Sequence, residues 1–210
     1  MIQTNNAGSL GISAVILMIS FILIAITTLS VLSEETNDNL SEEEIQQMLE
    51  EAIDPITKYI QIQDQVGKYY GEPHHQKIQK IAIMIKPLIS DEIELSELTI
   101  KLNNGNNLII LSYKGDAAFR DTNDLFEHQI WDNLTENNFG IIATHDKDNS
   151  ITDYNTINKN TDMAYIIIKL PENFYMKKGD TLTVTLFPSS GIQRTTILEA
   201  PLPMKKVVSL

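Results

Sequence analysis

The chain opens with a run of apolar residues that predicts a hydrophobic helix. Leu10 to Leu32 covers 23 residues without a charged side chain, and a helix needs about 20 residues to cross a bilayer. Apolar positions surround this predicted helix on every side, which distinguishes it from an amphipathic surface helix. We therefore expect residues 9–33 to form a helix that is buried in lipid or against other protein.

A second helical pattern follows, and it is acidic and amphipathic. Residues 34–51 contain eight carboxylates and no basic side chain. From Ile45 to Ile60 the apolar residues recur at i, i+3, i+4 and i+7, which places them on one helical face. The pattern predicts that the helix continues through residues 34–68 and ends near Gly67, so that residues 9–68 form one assembly helix.

From Lys77 onward the apolar pattern changes to that of strands. Thr181–Leu186 alternates regularly, and Leu98–Leu102 and Leu108–Tyr113 flank a turn of Asn and Gly residues that predicts a hairpin. About seven short segments of this kind are typical of a β-sandwich. The predicted fold class is α+β: a long N-terminal hydrophobic α-helix followed by an Ig-like antiparallel β-sandwich head domain over residues 69–210.

Charge and composition exclude several classes of function. The net charge is −12 and the chain has no cysteine, so it repels nucleic-acid phosphate and lacks both disulfides and thiolate chemistry. No serine has glycine two positions before and two after it, as a nucleophile elbow requires. No two carboxylates stand out as an acid–base pair. We expect neither an enzyme nor an organic cofactor, and no nucleic-acid partner.

One acidic segment has oxygen ligands at alternate positions. Asp146, Asp148 and Ser150 are spaced in this way, and Asp153 follows them. The spacing resembles the start of a calcium loop, although the glycine and the final glutamate of that loop are absent. A calcium site and a solvated turn both remain open interpretations.

Two N-glycosylation sequons also occur. One begins at Asn39 and the other at Asn133. Asn133 lies in the predicted head domain and is the better acceptor, because packed helices would crowd a glycan on Asn39.

Three interpretations of the N-terminal segment compete. A cleaved secretory signal has a basic start and a shorter apolar core, and a single-span anchor has no need of the amphipathic stretch that follows. The third interpretation is an assembly helix that first lies in the membrane and then packs against copies of itself. A polar leader, Met1–Gly8, directly before the apolar run favours this interpretation.

Both ends of the chain resemble the archaellins, or archaeal flagellins. Gly8-Ser9-Leu10-Gly11-Ile12 resembles the family's start, and Gly179–Pro188 with Gly191–Thr196 resembles its C-terminal strands. Ser13 occupies the place where type IV pilins usually carry glutamate, which fits archaellins better. The leader departs from the family pattern because it contains neither Lys nor Arg.

The resemblance implies a structural filament subunit with a defined set of site residues. A prepilin-like peptidase would cut between Gly8 and Ser9, which makes residues 1–8 the leader. The mature chain would then polymerise through an apolar helix into a helical homopolymer of the archaeal flagellum, an extracellular filament turned by separate assembly and motor machinery. The expected polymerisation residues are Leu10, Ile12, Val15, Ile16, Leu17, Ile19, Phe21, Ile22, Leu23, Ile24, Ile26, Leu29 and Leu32.

The resemblance also implies a membrane-bound precursor and a glycosylated head. The precursor would lie in the cytoplasmic membrane before assembly, and the head would carry surface N-glycans. An adhesive type IV-like pilin, a minor filament protein and a membrane-anchored β-sandwich binding module are the rival interpretations.

Overall fold

The structure is a computed structural model that describes residues 17–28, 42–72, 75–120, 124–189, 191–202 and 205–210. The chain divides into two compact units, Met1–Ile56 and Thr57–Leu210. Within the described residues, the first unit is helical and the second is built mainly from strands. The boundary predicted between residues 68 and 69 therefore lies further along the chain than the observed division.

Two helices precede the strands. Helix α1 covers residues 17–28 and contains no Gly or Pro, the two residues that disfavour a helix interior most. Helix α2 covers Glu42–Thr57. Three consecutive glutamates open α2, and negative charge at a helix N-terminus is favourable because of the helix dipole.

The predicted end of the amphipathic helix near Gly67 is wrong. Helix α2 ends at Thr57, and Ile60–Tyr70 forms strand β1. This strand pairs with β2, Lys77–Pro87, along its length. Ile60 and Ile62 alternate with glutamines, which is a strand pattern, but the helical spacing of the same isoleucines with earlier residues concealed it.

The remaining strands and helices belong to the head unit. The strands are β3 Ile93–Glu94, β4 Thr99–Asn103, β5 Leu108–Phe119, β6 Asn138–His145, β7 Thr156–Ile157, β8 Met163–Lys169, β9 Thr181–Phe187, β10 Arg194–Glu199 and β11 Val207–Ser209. The helices are α3 Ile130–Asn133 and α4 Ser150–Tyr154, with 3₁₀ turns at Leu95–Glu97, Leu125–Glu127 and Glu172–Phe174.

Nine strands form one sheet in the order β10-β9-β4-β5-β6-β8-β2-β1-β11. The predicted hairpin is confirmed as β4 and β5, with Gly105 at a positive φ of 88° in its turn. Neighbouring strands are antiparallel except β5 and β6, which are parallel. This pair corrects the expectation of a wholly antiparallel head.

One face of the sheet forms the main core. Ile60 of β1, Leu111 of β5 and Leu198 of β10 are all fully buried in the same hydrophobic cluster. Because β1 and β10 lie near opposite ends of the strand order, the sheet must fold over on itself to bring them together. The predicted α+β class with a β-sandwich head is confirmed.

A second, smaller core lies on the outer face of the sheet. The connection between β5 and β6 crosses that face, as a parallel pair requires, and its Ile130 and Trp131 pack on Ala82, Ile142 and Ile167. The Trp131 indole donates a hydrogen bond to the Leu125 carbonyl oxygen at 2.9 Å. The short helical turn predicted for Asn123 to Trp131 is confirmed within its described residues.

Candidate functional site

The first candidate surface is helix α1, which presents large apolar side chains to solvent. Phe21 is 64% exposed and Ile24 is 57% exposed. Other members of this surface are Leu17, Met18 and Leu23, which are also exposed. A folded monomer rarely leaves so many large apolar groups together in water, so this surface is suited to contact with another apolar surface.

The polar atoms of α1 are compatible with an apolar surrounding. The Thr27 hydroxyl donates to the carbonyl oxygens of Leu23 and Ile24, at 3.0 and 2.9 Å. The Thr28 hydroxyl bonds back to Ile24 in the same way, at 2.9 Å. Because these hydroxyls are satisfied within the helix, burying them costs little.

The structure describes only part of the predicted polymerisation set. Leu17, Phe21, Leu23 and Ile24 are exposed, whereas Ile19, Ile22 and Ile26 are half-buried. Met18 is exposed on the same helix and was missing from the prediction. The cleavage residues Gly8 and Ser9, and the polymerisation residues Leu10, Ile12, Val15, Ile16, Leu29 and Leu32, lie outside the described residues. Over the part of the chain that is described, no helix is both long and apolar enough to span a membrane.

The second candidate site is a cluster of three carboxylates in the head unit. One oxygen each from Asp146, Asp148 and Asp162 lies within 4.8 Å of the other two. Asp146 and Asp162 are buried, whereas Asp148 is exposed. Like-charged carboxylates this close repel each other unless a cation lies between or beside them, so the arrangement is suited to a hard cation.

Backbone N–H groups orient two of these carboxylates through hydrogen bonds. Asp146 Oδ2 accepts from the backbone N–H groups of Ile151 and Thr152 at the start of α4. Asp162 Oδ2 accepts from the N–H groups of Asn158 and Lys159, at 3.3 and 2.9 Å. Asp162 is fully buried, and its Oδ1 has no hydrogen-bond partner among the described residues.

Lys159 and Asn158 complete the surroundings of the cluster. The Lys159 ammonium forms a 2.6 Å ion pair with Asp148 Oδ2, and the Asn158 amide donates to the same oxygen at 3.1 Å. The hydrogen bond from Lys159, and then that from Asn158, lower the pKa of Asp148. The buried Asn158 Oδ1 has no partner in the described part of the chain. Among the residues that the structure describes, Asn158 Oδ1 and Asp162 Oδ1 are therefore buried oxygens without a hydrogen-bond partner beside the carboxylates.

The structure changes the membership of the predicted ion site. Asp146 and Asp148 lie close together, and the Ser150 hydroxyl is 3.5 Å from Asp146 Oδ1. Asp153 is exposed and lies outside the group, whereas Asp162 belongs to it. Local spacing could not indicate Asp162, because it directly precedes β8 and meets the others only through the fold.

The predicted glycosylation site in the head is accessible. Asn133 ends α3 with an exposed side chain, and Thr135 of its sequon is also exposed. Asn39 lies outside the described residues.

Comparison with known proteins identifies the family. The model of the archaeal-type flagellin family matches residues 8–197. The chain is 29% identical to Flagellin B3 of Methanocaldococcus jannaschii over 177 residues, which cover 81% of this chain and 79% of that protein.

Solved structures of low sequence identity share the fold. The crystal structure of archaeal flagellin FlaB1 from Methanocaldococcus jannaschii has a TM-score of 0.63 and 19% identity, covering 72% of this chain and 95% of that one. The archaeal flagellum of Methanospirillum hungatei has a TM-score of 0.53 and 11% identity, covering 95% of this chain and 99% of that one.

The match over most of the chain confirms the interpretation as a filament subunit, and it does not favour the pilin and binding-module alternatives. The family consists of structural proteins of an extracellular filament. The chain belongs to the archaeal-type flagellin family and is a structural subunit of the archaeal flagellum.

Proposed function

We propose that the chain polymerises through residues 9–33 and thereby forms the core of a helical filament that is rotated for swimming. The observation that carries this proposal is the apolar surface of α1, with Phe21 and Ile24 more than half exposed in the single chain. Copies of the same helix are the partner, because one uncharged apolar surface matches another.

The energy of burying this surface is large. Leu17, Met18, Phe21, Leu23 and Ile24 are each about half exposed, and because full burial of such a side chain gains about 1.5–3 kcal/mol, burying the exposed half gains about 0.8–1.5 kcal/mol. Together they contribute about 4–8 kcal/mol per subunit. Release of a subunit into water would lose this contribution, which supports a polymer that does not shed its subunits. When different parts of this helix surface meet in neighbouring subunits and the rotation between them does not close into a ring, the contacts extend into a filament.

We further propose that the helix lies in the cytoplasmic membrane before assembly. Lipid and a bundle of apolar helices are both apolar, so transfer between them costs little, and close packing supplies the gain. A prepilin-like peptidase is the proposed partner that cuts between Gly8 and Ser9, and the family match begins at residue 8. The assembly and motor machinery of the archaeal flagellum are the further proposed partners.

Shearing filaments from cells tests the proposal. We expect electron microscopy to show filaments, and mass spectrometry to identify this chain, beginning at Ser9, as their main polypeptide. A minor filament component would be present only in trace amount. A chain that retained Met1 and was recovered only as a membrane-bound monomer would contradict the proposal.

The carboxylate cluster supports a proposed divalent-cation site. Asp146, Asp148 and Asp162, with the side-chain oxygen of Asn158, would supply oxygen ligands of the kind that calcium prefers. Within the described part of the chain, Asn158 Oδ1 and Asp162 Oδ1 are buried without a hydrogen-bond partner. They support a cation in preference to a solvated turn, because a buried polar atom without a partner is costly. Lys159 offers a competing positive charge and would have to move from Asp148 when calcium binds.

We also propose Asn133 as the principal N-glycan acceptor and Asn39 as a second one. Exposure of Asn133 supports the first assignment. Intact mass measurement of sheared filaments checks both: Asn133→Gln should remove one glycan mass, and Asn39→Gln should remove another. An unchanged mass in the Asn133 variant would contradict its assignment.

A further inference from the structure

Three lysines lie side by side across the outer face of the head sheet. Lys68 of β1 is directly opposite Lys80 of β2, and Lys80 is directly opposite Lys169 of β8. Like charges at directly opposed positions destabilise a sheet. We call Lys68, Lys80 and Lys169 the lysine row. An anion bound beside the row would reduce the repulsion between its positive charges.

Within the described residues, carboxylates form direct ion pairs with only one end of the row. Lys68 is buried and forms a hydrogen-bonded ion pair with Glu127, and Asp124 lies 3.8 Å from its ammonium. Among the described residues, no carboxylate forms an ion pair with Lys80 or Lys169.

Lys80 instead lies against aromatic rings. Its ammonium is 4.8 Å from the Trp131 ring centroid and 5.7 Å from that of Tyr70. Burial, and then repulsion from Lys68, lower the pKa of Lys80. The charges of Glu127 and Asp132 act on Lys80 in the opposite direction without forming an ion pair with it. Because the rings hold the side chain in place, an external carboxylate would gain a hydrogen-bonded cation at little ordering cost.

A complementary acidic segment lies elsewhere on the head. Glu92, Glu94 and Glu97 are exposed, and no basic residue occurs between Pro87 and Lys101. Ile93 and Leu95 are buried between them, and alternation along β3 therefore directs Glu92 and Glu94 outward. Within the part of the chain that is described, none of the three glutamates forms an ion pair.

The acidic segment and the lysine row lie on different strands of the head. Lys80 precedes Pro87, the last residue of β2, by seven positions, which is about 23 Å at roughly 3.3 Å per residue, and Glu92 and Glu94 follow that end of β2. Glu97 lies two residues before β4, and β5, β6 and β8 separate β4 from β2 in the strand order, which is about 19 Å along the sheet at roughly 4.8 Å per strand. Opposite charges this far apart are screened from one another, because the Debye length is about 8 Å at physiological salt.

We propose that the lysine row of one copy binds the acidic segment, Glu92, Glu94 and Glu97, of the next copy. The occupant is a second copy of this chain because the acidic segment has the complementary charge and cannot reach the row of its own head. Such a contact joins different surfaces of the two copies, and it extends into a filament when the rotation between copies does not close into a ring. This inference rests on the proposed function as a filament subunit.

Zero-length cross-linking of wild-type filaments tests the contact. A carbodiimide joins a lysine to a carboxylate only when the two are in contact, and peptide mass spectrometry then identifies the pair. We expect Lys80 or Lys169 joined to Glu92, Glu94 or Glu97. Filaments that are intact by electron microscopy but join these lysines to other carboxylates, or to none, would overturn the contact. Absence of filaments from the wild type would instead overturn the proposed function.

A charge exchange provides a second test. Lys80→Glu with Lys169→Glu should lower the amount of sedimentable filament severalfold, and should abolish the lysine-row cross-links. Adding Glu92→Lys with Glu94→Lys in the same chain should restore most of the filament. Lys114→Glu with Lys178→Glu is the matched control, because both lysines are exposed and outside the row. Equal losses in the row and control variants, or no recovery on exchange, would contradict the proposal.

Discussion

Asp162→Asn is the sharpest test of the proposed cation site. The change keeps the shape of a fully buried side chain and removes its charge. One carboxylate oxygen accepts two backbone N–H groups, and the other has no partner among the described residues. A cation at that oxygen would supply an interaction there, and an amide would hold the cation less well.

The expected magnitude follows from binding to the folded state alone. At a hundredfold excess over the dissociation constant, calcium stabilises by about 2.7 kcal/mol. For a domain of this size, 1 kcal/mol shifts the melting temperature by about 2–4 °C. We therefore expect calcium to raise the melting temperature of wild-type filaments by about 5–10 °C relative to chelator.

Differential scanning calorimetry with calcium or chelator measures this shift. Asp162→Asn should remove most of it, whereas Asp153→Asn should retain it, because Asp153 is exposed and outside the cluster. An equal calcium shift in wild type and Asp162→Asn would refute the assignment of the cluster. A wild-type protein whose melting temperature is the same with calcium and with chelator would refute calcium binding itself.

Three further predictions concern stability and assembly. Trp131→Ala should lower the free energy of unfolding by about 3–5 kcal/mol, because Trp131 is only 2% exposed. Denaturant titration measures this loss. A loss below about 1 kcal/mol would contradict the importance of the second core. Burial lowers the pKa of Lys68, but its hydrogen bond to Glu127 and nearby charges outweigh that effect and raise it. The stabilisation from the Lys68–Glu127 ion pair is therefore complete below the unfolded lysine pKa of about 10.4, and it is lost as pH rises through the folded pKa of Lys68. Glu127→Gln should reduce this alkaline loss of stability in melting curves. Identical curves for the wild type and the variant would contradict the role of the ion pair. Phe21→Asp should abolish sedimentable filaments while Phe21→Leu retains them, and normal assembly of the aspartate variant would contradict the role of α1.

Local patterns in the sequence predict much of the fold. The uncharged run around Phe21 indicates a helix, the Asn and Gly turn before Leu108 indicates a hairpin, and the alternation of Leu182, Val184 and Leu186 indicates a strand with one buried side. In each case the signal lies within a few residues, because it reflects the period of a single element. The structure confirms these elements.

Other parts of the fold depend on contacts between distant residues. Strand β1 was hidden because Ile60 fits both a helical and an alternating pattern, and only pairing with β2 decides between them. The parallel pairing of β5 with β6 has no local signal, because it depends on a crossover connection. The hydrogen bond of His128 also has no signal in the local sequence. Its Nδ1 accepts the Ile130 N–H at 3.2 Å, within the buried connection between β5 and β6.

The two candidate sites also differ in how far the sequence alone predicts them. The spacing of Asp146 and Asp148 is visible in the sequence, but Asp162 joins them from the residue that precedes β8. The apolar surface of α1 was visible because it needs no tertiary partner within the chain. A surface that serves contacts with other molecules can be read from sequence when one element supplies it, and a site assembled from several elements cannot.

Thiol accessibility within intact filaments tests most directly whether α1 is the assembly surface. The chain has no cysteine, so Phe21→Cys and Asn106→Cys each introduce a unique reactive group. Both positions are exposed in the single chain. We expect a maleimide to label position 106 rapidly in lipid-free filaments and to leave position 21 unlabelled until the filaments are dissociated. Labelling of position 21 at the rate of position 106 in intact filaments would contradict burial of α1 against neighbouring copies.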